Sequence, residues 1–118
     1  MWEIKVEKHF AAAHHLLNYE GDCENQHGHN WKVEVYVRGN ELDKSNILVD
    51  FKVLKKQLDS ILDLLDHKDL NGLEFFKDKS PSSELISRFI YHKMKELNIL
   101  VHKVSVWETP TSCATYWE

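Results

Sequence analysis

Trp2-Glu3-Ile4-Lys5-Val6-Glu7-Lys8-His9-Phe10 decides the fold class. Trp2, Ile4, Val6 and Phe10 share one face, while Glu3, Lys5, Glu7 and His9 share the other, the period of two expected of a half-buried strand. The pattern recurs over residues 31–38, where Trp31, Val33, Val35 and Val37 alternate with Lys32, Glu34, Tyr36 and Arg38 before Gly39 and Asn40 stop it. The period then changes. Asp50 is placed to cap a helix whose Phe51, Leu54, Leu58, Ile61, Leu62 and Leu65 form one apolar stripe. Ser80 and Pro81 read as N-cap and first-turn residues of a second helix, with Leu85, Ile86, Phe89, Ile90 and Leu97 on its apolar face and Asn98 as its stop. A strand over residues 101–108, a turn at Pro110 and an extended piece ending at Trp117 close the chain. Strand, strand, helix, helix, strand, strand predicts an α+β fold, a four-stranded antiparallel sheet with two helices packed on one face.

A chain of 118 residues, 42% hydrophobic and 29% charged, suits one domain spanning residues 1–118. The net charge of -4 argues against nucleic acid or a membrane surface as partner, since both would repel the average surface. No apolar run approaches a membrane span, and the amino terminus has no signal-peptide pattern, which predicts a cytoplasmic protein. In that reducing compartment Cys23 and Cys113 are expected to be free thiols.

Cys23-Glu24-Asn25-Gln26-His27-Gly28-His29 carries the chemistry. Two residues apart on extended backbone, His27 and His29 point to the same side, and Gly28 leaves the backbone between them uncluttered. A third nitrogen is available from His14, which continues the inward phase of Phe10 and Ala12, whereas His15 faces away. Three neutral imidazoles leave one position of a tetrahedral zinc ion open, the composition of a catalytic site. Cys23 has three readings: a fourth ligand, a small buried hydrophobe, or a thiolate whose pKa a nearby dication depresses. Asp66-His67 follows the first helix and, taken alone, reads as a polar helix terminus. Glu108 follows the Val104 and Val106 face, so its inward carboxylate needs a donor.

These residues resemble the 6-pyruvoyl-tetrahydropterin synthase superfamily, and within it the 6-carboxy-tetrahydropterin synthase branch. The likeness runs through Phe10-Ala11-Ala12-Ala13-His14, Cys23 ahead of His27-Gly28-His29, Val49-Asp50-Phe51, Leu65-Asp66-His67, Pro81-Ser82-Ser83-Glu84 and Trp107-Glu108-Thr109. The resemblance implies zinc on His14, His27 and His29, Cys23 as proton acceptor, and Asp66 with His67 as a relay. It further implies substrate contacts at Ser82 and Ser83, and a grip on the pterin ring by Glu108. The implied substrate is 7,8-dihydroneopterin triphosphate, cut in the carboxy branch to 6-carboxy-tetrahydropterin, acetaldehyde and triphosphate on the way to queuosine. The implied architecture is the tunnelling fold, in which copies join sheets into a barrel and share active sites, so a homo-oligomer is expected. The alternatives are the pyruvoyl branch, which eliminates triphosphate and has a longer cysteine-to-histidine gap than the three residues here, and a non-catalytic zinc module closed by Cys23.

Overall fold

The computed structural model describes residues 1–18 and 25–118 of the chain. Strands β1 (Trp2–His14) and β2 (His27–Gly39) pair antiparallel in unbroken register, from Trp2 opposite Gly39 to His14 opposite His27. Helix α1 (Phe51–Leu62), strand β3 (Lys68–Asp69) and helix α2 (Ser83–Leu97) follow, and β4 (Val101–Thr109) and β5 (Ser112–Trp117) complete a sheet of order β3-β1-β2-β4-β5.

The inward phase of the strands is the one their alternation predicts. Val6, Phe10 and Ala12 from β1, Trp31, Val33, Val35 and Val37 from β2, and Val104 and Val106 from β4 are buried in one core with α1 and α2. Each valine or phenylalanine so removed from water stabilises the fold by ~1.5–3 kcal/mol, which is what holds two amphipathic helices against the sheet. Asp50 caps α1 as expected, its carboxylate accepting from the Lys52 N–H at 2.8 Å. No helix among the described residues is long and apolar enough to cross a membrane.

Four expectations need correction. The sheet has five strands, because Lys68 and Asp69 run parallel to β1 opposite Ala12 and Ala13. Two exposed polar residues carry no periodicity, so no pattern announces them. The α2 cap is Ser82, whose hydroxyl accepts from the Leu85 N–H at 3.2 Å. Ser80 instead accepts from the Leu17 N–H at 2.7 Å. Phe51 and Leu97 lie exposed at the helix ends, and Tyr91 and Met94 fill the α2 core positions. Leu65 is buried, but beyond the end of α1.

Candidate metal centre

The β1–β2 register builds the site. Opposing His14 with His27 and Ala12 with His29 places three inward imidazoles within one hairpin end. Phase alone separates His14 from its neighbour: His14 is 2% exposed, whereas His15 turns outward to Gln26 and Asn71. Trp31, next inward on β2, stacks edge-on against His14 and His29 with centroids 4.8 Å and 5.2 Å away, and its indole N–H is tied to the Ala12 carbonyl. That fixed wall limits how the rings can turn.

Glu108 arrives from β4. The β4–β5 register shifts between Trp107 and Thr109, and this irregularity falls on Glu108, a place where strands commonly re-aim a side chain. One oxygen, Oε1, lies 3.0 Å from His14 Nε2, 2.9 Å from His29 Nε2 and 3.8 Å from His27 Nε2. Donor atoms of all four residues fall within 4.8 Å of one another. Sequence phase gives Glu108 its inward direction, but the convergence on the histidines depends on strand pairing.

Hydrogen bonding fixes which ring nitrogens face the centre. His14 Nδ1 sits 2.7 Å from the Pro81 carbonyl and His27 Nδ1 sits 2.6 Å from the Asn25 carbonyl. A carbonyl only accepts, so each Nδ1 carries a proton and Nε2 is the nitrogen left facing the centre. This is the support that metal-binding imidazoles usually have. His29 Nε2 is buried with no hydrogen-bond partner among the described residues, although Glu108 Oε1 is close, so that contact is oblique. Burial pushes the His29 pKa below the usual histidine value. Three imidazole nitrogens and a carboxylate oxygen converging within 4.8 Å form a group that a cation between them would satisfy. The donor set therefore fits a divalent metal, and imidazole with carboxylate suits zinc.

Other expected site residues lie elsewhere. Asp66 and His67 are fastened to the edge of β1: Asp66 Oδ1 accepts from the Ala11 N–H at 2.9 Å, and the His67 N–H donates to the Ala11 carbonyl at 2.6 Å. The Ala11 N–H, together with the adjacent His67, holds the Asp66 carboxyl below its ordinary pKa. The two side chains pair at 3.0 Å, and His67 is 83% exposed, outside the donor cluster. Its φ of 57° is the left-handed conformation, costly for a residue with a Cβ. Ser82 and Ser83 open α2 beside Pro81, whose carbonyl supports His14. A Cβ added at Gly28 would meet open space, so close approach within this chain does not explain that glycine. Cys23 lies outside the described residues, whereas Cys113 is a free, exposed thiol on β5. The Pro81 carbonyl had no sequence signal, being a backbone group brought in by the fold.

Comparison with known proteins agrees with this geometry. The family model described as 6-pyruvoyl tetrahydropterin synthase matches residues 3–118. A Synechocystis protein named 6-carboxy-5,6,7,8-tetrahydropterin synthase is 40% identical, over 99% of this chain and 94% of its own. A Haemophilus influenzae protein of the same name is 32% identical over the whole of both chains. The solved 6-pyruvoyl tetrahydropterin synthase of Caenorhabditis elegans superposes with a TM-score of 0.90 at 30% identity, covering 99% of this chain and 95% of that one. By residues, fold and similarity together, the chain belongs to the 6-pyruvoyl tetrahydropterin synthase family.

Proposed function

We propose that this chain is a zinc-dependent 6-carboxy-tetrahydropterin synthase, a carbon-carbon lyase. It converts 7,8-dihydroneopterin triphosphate and water to 6-carboxy-5,6,7,8-tetrahydropterin, acetaldehyde and triphosphate, in queuosine biosynthesis. The observation that carries the reading is the convergence of His14, His27, His29 and Glu108 on one point. The carboxy branch is favoured by the Synechocystis relative's name and by the three residues between Cys23 and His27.

His14, His27 and His29 hold the metal. When bound, zinc supplies Lewis-acid stabilisation of charge on substrate oxygens. Glu108 accepts from the pterin amino group and ring N–H, a charge-assisted pair that orients the substrate. Cys23 removes a proton from the side chain, and His67, oriented by Asp66, manages the second transfer. Ser82 and Ser83, at the amino end of α2, lie along the substrate.

The position of the Asp66–His67 pair supports a shared site. It stands exposed on the β1 edge rather than among the histidines, where a neighbouring copy can receive it. Sheet edges suit such joining: β3 covers only Ala12 and Ala13 of β1, and β5 has no further partner strand among the described residues. Long open edges invite pairing with another chain. A homo-oligomer in the cytoplasm is the working assembly.

Product analysis tests the reaction. The zinc-loaded protein incubated with 7,8-dihydroneopterin triphosphate is expected to release acetaldehyde and triphosphate in equal amounts. Triphosphate without acetaldehyde assigns the chain to the pyruvoyl branch. No turnover at full zinc occupancy leaves the non-catalytic zinc module.

A further inference from the structure

The position of Glu108 is at odds with a carboxylate reserved for the pterin ring. With one oxygen within 3.0 Å of two imidazole nitrogens, it stands where a substrate oxygen would otherwise complete the coordination of the metal. At His29 the close contact has the wrong direction for a hydrogen bond. At His14 the same oxygen lies within hydrogen-bonding geometry of Nε2, while the other ring nitrogen already faces an acceptor, the Pro81 carbonyl. One carboxylate oxygen set against two imidazole nitrogens at this length is the arrangement of donors that share one ion: bonds of about 2.0 Å to a tetrahedral zinc put neighbouring ligands roughly 3.3 Å apart.

We propose that Glu108 is the fourth metal ligand of the free protein, and that pterin binding draws it off the metal. This inference rests on the three-histidine reading of the site. The two roles exclude each other in time. Gripping the ring amino group and ring N–H takes both carboxylate oxygens, whereas closing the metal takes Oε1. A ligand ring therefore exchanges one set of contacts for the other and leaves an open position on the metal beside the substrate side chain. The β4 irregularity at Glu108 gives the side chain a pivot for the exchange. With its side chain 29% exposed, Glu108 is also within reach of an incoming ligand. Linkage requires the reciprocal effect: a ring that removes a ligand must weaken the metal, and the metal must weaken the ring, by the same factor.

Cobalt reports on this without turnover. Metal-free wild type, Glu108→Gln and Glu108→Ala are loaded with cobalt, and affinity and visible absorption are followed with and without 7,8-dihydropterin, which has the ring but no side-chain hydroxyls. Both variants are expected to bind cobalt more weakly by about tenfold or more and to differ from wild type in their visible bands. Saturating 7,8-dihydropterin should shift the wild-type spectrum and lower its cobalt affinity, with little effect in the variants. The near-isosteric glutamine variant gives the answer if the alanine variant does not fold. Wild-type affinity and spectrum in both variants overturn the proposal and leave the three-histidine site standing. Altered variants with a wild-type spectrum that 7,8-dihydropterin leaves unchanged overturn the release, making Glu108 a permanent ligand. Failure of wild type to take up cobalt overturns the histidine reading together with the proposal.

Discussion

The hairpin end of the sheet and its helix-free face each hold a carboxylate, Glu108 half-buried and Glu34 buried, and the two differ in what surrounds them. On the helix-free face Glu34 is 5% exposed, accepts from Lys5 Nζ at 2.7 Å and takes a short hydrogen bond from the Trp107 indole. The Trp107 ring in turn lies under the Lys32 ammonium, 4.6 Å from its centroid. Every charge there has a partner of opposite sign or a donor. At the hairpin end Glu108 meets three imidazole nitrogens, and His29 Nε2 has no hydrogen-bond partner among the described residues. A polar cluster that satisfies itself stabilises a fold, whereas one that needs a cation is a binding site. The contrast separates structure from function.

The largest effect that sharpens this contrast is on turnover. His67→Gly removes the group proposed for the second proton transfer and should lower the rate by about 10²- to 10⁴-fold. The same change relieves a left-handed backbone at φ 57°, so thermal stability should rise by about 1 kcal/mol. Denaturation and turnover assays on one preparation check both signs. A variant that is slower and also less stable makes His67 a structural residue.

Glu34→Ala should behave the opposite way. It leaves the Trp107 N–H without its acceptor and should cost about 1–3 kcal/mol of stability with zinc uptake unchanged. Its pH dependence follows from the carboxyl's pKa. Burial raises that pKa, but the bonds from Lys5 and Trp107 outweigh burial and hold it below the ordinary value of 4.5. A depressed folded pKa means that the stabilisation is complete above the unfolded value and is lost as pH falls through the folded one. Acid unfolding of wild type below pH 4.5 should therefore include a component that Glu34→Gln lacks. Loss of zinc from the Glu34 variants would break the contrast by tying the two clusters together.

Sequence periodicity was enough for β1, β2, α1 and the inward phase of His14, because each depends on which face of a local element is apolar. His27 and His29 were legible for the same reason. What escaped depends on distant chain segments meeting. Glu34 carries the polar phase of β2 and reads as solvent-exposed until Lys5 and Trp107 close over it. Pro81 reads as a helix-start residue, yet its carbonyl orients His14 from 67 positions away. Glu108 was read as inward and in need of a donor, but only the β4 register brings it to the histidines. The Asp66–His67 pair was visible as a motif, whereas its attachment to the β1 edge required the tertiary structure.

Zinc content tests the central claim most directly. Elemental analysis of the purified wild-type protein, His27→Ala and His29→Ala, each confirmed as folded, measures whether the hairpin end is a metal centre. Wild type should carry about one zinc per chain and each variant close to none, since two remaining imidazoles, even with Glu108 beside them, chelate far more weakly than the complete set of donors. Near-stoichiometric zinc in both variants, or a zinc-free wild type that takes up no added metal, would contradict the account.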